Sequence, residues 1–144
     1  ADGTKMIVSR IGKEKFKIDN MPANMVVEYQ SDIDNMADGL DKLELEDVMA
    51  VEKIKFAADK TIKTQIKTSD GMVVNVKMIN LNDGHFWASI SANVTDAASD
   101  SVKKEVGAIN TKLSKWAYEL PAHKYRYMSR KFSDVLKDPK AKKK

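Results

Sequence analysis

The chain has no cysteine, which excludes a disulfide framework and any thiolate metal site. That absence does not fix the compartment, because a periplasmic chain can also do without disulfides. No stretch approaches the run of about 18 apolar residues that a membrane-crossing helix needs. There are only two histidines, His85 and His123, which could share a site only through long-range folding. Gly-x-Ser-x-Gly, Gly-x-Gly-x-x-Gly, a phosphate loop and His-Glu-x-x-His are all missing, and no catalytic, cofactor-binding or metal-ligating residue is assigned. No signal peptide is visible, and Ala1-Asp2-Gly3 opens the chain without an initiator methionine. A processed chain or an expressed fragment is the expectation.

Positive charge is also scarcer than the formal +4 suggests. Residues 137–144 hold five lysines and one aspartate, so residues 1–136 sum to zero. A neutral body with a basic tail argues against a nucleic-acid surface, which gathers its cations on the folded face. The tail, 137–144, reads as a solvated, disordered end. The remaining 136 residues suit a single domain with a sizeable core, with 1–48 and 49–136 as possible sub-units.

The strongest pattern lies between Ser99 and Leu136. Val102, Val106, Ile109, Leu113 and Trp116 recur at spacings of 4, 3, 4 and 3, one stripe of an amphipathic helix that must bury against something, most simply a sheet. Ser99 or Asp100 supplies the expected N-cap. Pro121 drives Leu120 toward an extended conformation, so the helix is expected to stop between Trp116 and Tyr118 and restart after Pro121.

Ahead of that helix the period changes to two. Val51–Ala57, Thr61–Thr68, Met72–Ile79 and Phe86–Ala92 read as four strands, and Asp70-Gly71 and Asn82-Asp83-Gly84 as tight turns. This predicts an antiparallel meander with amphipathic helices on one face, an α+β fold. A smaller hairpin and helix unit precedes it. Met6-Ile7-Val8 and Phe16-Lys17-Ile18 flank a turn at Ile11–Glu14, Met25–Tyr29 is extended, and Ser31 caps a helix carrying Ile33, Met36, Ala37, Leu40 and Leu43. The acids of that helix fail the calcium-loop template. Counting from Asp32, the fifth position is Met36 and the sixth Ala37, where an oxygen ligand and a glycine are needed. They read as a solvated face. Asn93-Val94-Thr95 matches a glycosylation acceptor, a three-residue pattern with a high chance rate.

Three function classes remain. Lys124, Arg126, Arg130 and Lys131, interleaved with Tyr125 and Tyr127, are the only basic-aromatic cluster, a surface for an anionic polymer or a membrane if the side chains share one solvent face. The competing account is a solvated helix face with aromatic packing. A hydrolase would need His85 or His123 within reach of a carboxylate in a concave pocket. A binding or scaffolding module would instead show an apolar patch or an uncovered sheet edge.

Lys115-Trp116-Ala117-Tyr118-Glu119-Leu120-Pro121, followed by Phe132-Ser133-Asp134-Val135-Leu136, resembles the carboxy-terminal signature of an uncharacterised bacterial domain family. That family is encoded beside gliding-motility-type ABC transporter components. Ile18-Asp19-Asn20-Met21-Pro22 and Asp38–Val48 are similar to its first half, so the resemblance covers most of residues 5–137. It implies an extracytoplasmic domain of the cell envelope, working with membrane transporter components as protein partners. Membrane attachment is expected only through an amino-terminal anchor absent from this chain. The resemblance carries over no catalytic residue. The expectation is a non-enzymatic binding or scaffolding module with no cofactor.

Overall fold

The computed structural model describes residues 5–11, 13 and 15–141. In chain order its strands and helices are β1 (Val8–Arg10), β2 (Phe16–Ile18), β3 (Val26–Val27), α1 (Gln30–Ala37), β4 (Asp47–Ala50), β5 (Ile62–Lys67), β6 (Met72–Asn80), β7 (Phe86–Val94), α2 (Asp100–Leu113), β8 (Trp116–Leu120), α3 (Ala122–Met128), α4 (Phe132–Val135) and β9 (Leu136–Lys137). The fold is α+β, 27% helical and 32% strand. The chain divides into two compact units, Glu44–Tyr125 and the segments up to Leu43 and from Arg126 onward. The seam therefore falls at 43/44 rather than 48/49, and the carboxy-terminal segment belongs with the amino-terminal one.

The first unit is a five-stranded antiparallel sheet in the order β4-β8-β7-β6-β5. Tight turns join β5, β6 and β7, so the expected meander is real for three strands. At the first turn Gly71 has φ +94°, a conformation glycine adopts without the Cβ penalty of other residues. The fourth strand differs from expectation. Val51–Lys53 is a short 3-10 turn, and the strand before it, β4, pairs with β8 from Asp47↔Glu119 to Ala50↔Trp116. Ile54 and Phe56 still reach the core, packing with Met49, Ile79, Trp87 and Ala117 on one sheet face. Their alternation reflects burial, not a place in the ladder.

On the opposite face α2 lies over β7 and β6. Val102 and Val106 are buried against Met72, Ala92 and Ala98, with Val74, Val94 and Ile109 packed around them. Ser99 caps the helix by accepting the Val102 N–H at 3.4 Å, as the sequence predicts. The helix ends at Leu113, short of Trp116. Trp116–Leu120 is instead a central strand, hydrogen-bonded to β4 on one side and β7 on the other. Two ladders of backbone hydrogen bonds outweigh one more turn of helix, and Trp and Tyr favour the pleated surface. Asn110 on α2 completes the sheet where β8 has run out. Its Oδ1 accepts the Ala92 N–H and its Nδ2 donates to the Ala92 carbonyl, both at 2.8 Å.

In the second unit β1 and β2 form an antiparallel pair from Val8↔Ile18 to Arg10↔Phe16; Gly12 and Glu14 of the expected turn lie outside the described residues. Phe16, Ile18, Ile33, Val135 and Leu136 form its core. The helix begins at Gln30 with Tyr29 as its N-cap and no side-chain cap, not at Ser31. Asp34 accepts the Phe16 N–H at 3.1 Å, while Gln30 Nε2 donates to the Phe16 carbonyl at 2.7 Å. These bonds pin α1 to β2. The helix stops at Ala37, so Leu40 and Leu43 lie beyond it. The tail begins in ordered structure. Lys137 pairs with Val26 in the β3–β9 ladder, and Asp138 turns the chain by accepting the Lys140 N–H at 2.8 Å. Residues 142–144 lie outside the described residues.

Candidate functional site

The turn Asn82-Asp83-Gly84 places His85 at the mouth of β7. Asn82 and Gly84 take positive φ angles of 60° and 89°, and Asp83 Oδ1 accepts the His85 N–H at 2.9 Å. The register Trp87↔Glu119 brings Glu119 of β8 alongside. His85 Nδ1–H donates to Glu119 Oε1. The histidine side chain is 56% exposed and the glutamate 12%. Hydrogen bonding to Glu119 and the charge of Glu119 raise the His85 pKa above its ordinary 6.5 against an opposing effect of desolvation, with lesser help from the charges of Asp83 and Glu46.

The pair borders a groove of about 410 Å³ with Trp87 and Ile54 in its apolar lining and Asp47, Asp83 and Lys53 at its polar margin. With Nδ1 committed to Glu119, the imidazole offers Nε2, which in the neutral ring can accept a proton. Among the described residues no serine, threonine or cysteine lines the groove, so it holds a base without a hydroxyl or thiol nucleophile beside it. Among the described residues no three histidine, cysteine, aspartate or glutamate side chains are placed to hold a metal ion. His123 is exposed on α3 and is not among the groove's lining residues.

The basic-aromatic cluster is divided between the two units. Lys124 and Tyr125 belong to the first; Arg126, Tyr127, Arg130 and Lys131 belong to the second. The Tyr125 ring stacks on Phe86 at 4.5 Å, and burial pushes its hydroxyl pKa up. Arg130 Nη1 pairs with Asp32 Oδ2 at 3.1 Å and its guanidinium lies 5.8 Å from the Tyr127 ring centre. Lys131 is the N-cap of α4, its N–H donated to Asp134 Oδ2 at 2.7 Å. Tyr125 and Arg130 are thus occupied in packing and pairing within their own units.

A second surface feature belongs to the sheet edge. Val48 of β4 is 49% exposed and Trp116 of β8 is 44% exposed. Val48 sits opposite Tyr118 and Ala50 opposite Trp116, so the exposed pair are diagonal neighbours on one face of the sheet. Leu45, just before β4, is 43% exposed.

Sequence reasoning singled out His85 but could not name Glu119, because the pairing depends on a strand register set 34 residues away. The only local signal was the alternation in Trp116–Leu120. Comparisons with protein-family models, curated proteins and solved structures found no match.

Proposed function

We propose that this chain is a non-enzymatic protein-binding module whose partner docks on the β4 edge of the sheet. The observation that carries the reading is the exposed pair Val48 and Trp116. Large apolar side chains placed side by side on an edge pair leave water on a surface that a partner can dry. The main-chain groups of a terminal strand add hydrogen-bonding capacity for an extended segment. At the start of β4, Asp47 accepts the Val48 N–H at 2.7 Å, which blunts the edge locally and leaves the apolar contact as the main attraction. The resemblance of most of residues 5–137 to a domain family encoded beside ABC transporter components supports an envelope location and membrane transporter subunits as partners.

The test is affinity capture from envelope membranes with this chain as bait, washed at low and high salt. Transporter subunits are expected to survive high salt with the wild-type chain and to be lost with Val48→Asp combined with Trp116→Ser. Equal recovery by the double variant, or no recovery at either salt, would overturn the reading.

A second reading rests on the His85–Glu119 pair. A histidine held by a carboxylate at the rim of a groove is the arrangement of a general base that activates water. The acids Asp47 and Asp83 at the same rim favour a neutral or cationic substrate over a phosphate. Hydrolysis of a panel of neutral esters and amides, lost in His85→Gln, is its signature; no turnover by the wild-type chain would end it.

A further inference from the structure

The sheet face opposite α2 is apolar at one end, where Ile54 and Phe56 cover Ile79, Trp87 and Ala117. The other end carries exposed polar side chains around one buried apolar residue, Val73. Gln65 of β5, Asn75 of β6 and Asn93 of β7 lie across three adjacent strands. Their carboxamides are linked in sequence. Gln65 Nε2 donates to Asn75 Oδ1 at 2.9 Å, and Asn75 Nδ2 donates to Asn93 Oδ1 at 2.7 Å. Each amide nitrogen carries two hydrogens, so the ladder still offers donors to solvent, and both Asn93 hydrogens remain.

Three lysines frame it. Lys63 stands directly opposite Lys77 in the β5–β6 register, and Lys67 lies four residues along β5, about 13 Å from Lys63. All three are exposed. Like charges directly across a strand pair are destabilising, and among the described residues none of the three lysines joins an ion pair with a carboxylate. The alternation of the strands places no acid among these residues. The chain outside the tail is neutral as a whole, so this face concentrates cations that the rest of the surface balances elsewhere.

We propose that this open face binds an anionic polysaccharide, the carboxamide ladder meeting sugar hydroxyls and the lysines meeting carboxylates on the polymer. Linked amides are already ordered, so binding costs little side-chain entropy. The flat, multi-strand spacing suits an extended polymer better than a compact anion. The polar end of the face presents no aromatic ring for a base to stack on, which disfavours single-stranded nucleic acid, and no apolar wedge for a bilayer. This surface lies on the opposite face of the sheet from the Val48–Trp116 pair.

The experiment is affinity electrophoresis of the full chain through gels holding polygalacturonate, neutral dextran or a single-stranded oligonucleotide. Polygalacturonate is expected to retard the chain, with dextran having no effect, and the retardation should fade as salt rises. Lys63→Glu combined with Lys77→Glu should weaken the interaction by about tenfold or more, while Lys104→Glu on α2, with the same change of charge per site, should weaken it far less. Asn75→Ala should weaken it about threefold without altering its salt dependence. Thermal melts of each variant confirm folding. No retardation by polygalacturonate, equal loss with Lys104→Glu, or tighter binding to the oligonucleotide would overturn the proposal.

Discussion

Glu119 receives the Nδ1–H of His85, so the end of β8 is tied to the turn that starts β7. The bond couples a solvent-exposed ring to a mostly buried carboxylate and sets the chemistry of the groove beside it.

That coupling has a defined pH signature. In the unfolded chain His85 titrates near 6.5, and in the native chain its pKa is raised, chiefly by the hydrogen bond to Glu119. The native state therefore binds the proton more tightly. The stabilisation is fully present below the unfolded value and disappears as pH rises through the native one. An NMR titration of His85 should give a pKa above 6.5 that falls toward it in Glu119→Gln. A wild-type value at or below 6.5 would refute the pairing.

The two glycines of the hairpin turns should differ in their tolerance of alanine. Gly71 and Gly84 both have positive φ, but a Cβ at Gly71 would meet Thr95 Oγ1 at 2.8 Å and the Ala98 Cα at 3.0 Å, whereas one at Gly84 meets nothing within 4 Å. Gly84→Ala should cost about 1 kcal/mol from backbone strain alone. Gly71→Ala should cost about 2–4 kcal/mol, because strain and overpacking add. Urea denaturation of the two variants checks the order.

Asn110→Leu should destabilise the first unit by about 1–3 kcal/mol. The substitution keeps an apolar stem against the sheet but leaves the Ala92 N–H and carbonyl without the partners they have in Asn110. Hydrogen exchange at the Ala92 amide gives a local readout, and unchanged protection there would contradict the assignment.

The Asp32–Arg130 pair should respond unequally to loss of either side. The side chains are 18% and 24% exposed, and Arg130 Nε is buried with no hydrogen-bond partner among the described residues. Asp32→Asn strands a half-buried guanidinium and should cost about 1–2 kcal/mol. Arg130→Met keeps the packing of the stem and leaves Asp32 in the first turn of α1, where the helix dipole favours it. It should cost less. Equal or reversed effects in thermal melts would overturn that account.

Local pattern carried much of the fold. The period of two from Ile62 to Val94, interrupted by Asp70-Gly71 and Asn82-Asp83-Gly84, is written in side-chain chemistry that acts over a few residues, and so is the Ser99 cap. The segment Val51–Ala57 misled because apolar residues facing a sheet alternate whether or not their backbone joins the ladder. Trp116 misled for a related reason: it continues the stripe of α2 in register, yet belongs to a central strand. Neither choice has a local cause. Each depends on which backbone groups lie alongside, β4 and β7 in the case of β8.

By itself, then, the sequence determined the α+β class, the hairpin turns, the amphipathic face of α2 and the restart of helix after Pro121, because propensity, capping and period are properties of neighbouring residues. Only the tertiary structure decided the strand order, the joining of the two chain ends into one unit, the meeting of His85 with Glu119 and the amide ladder of Gln65, Asn75 and Asn93. Those contacts arise from register between strands distant in the chain. A shift of one residue turns every side chain to the other face, so they are specified by burial of the whole sheet and by no short stretch of it.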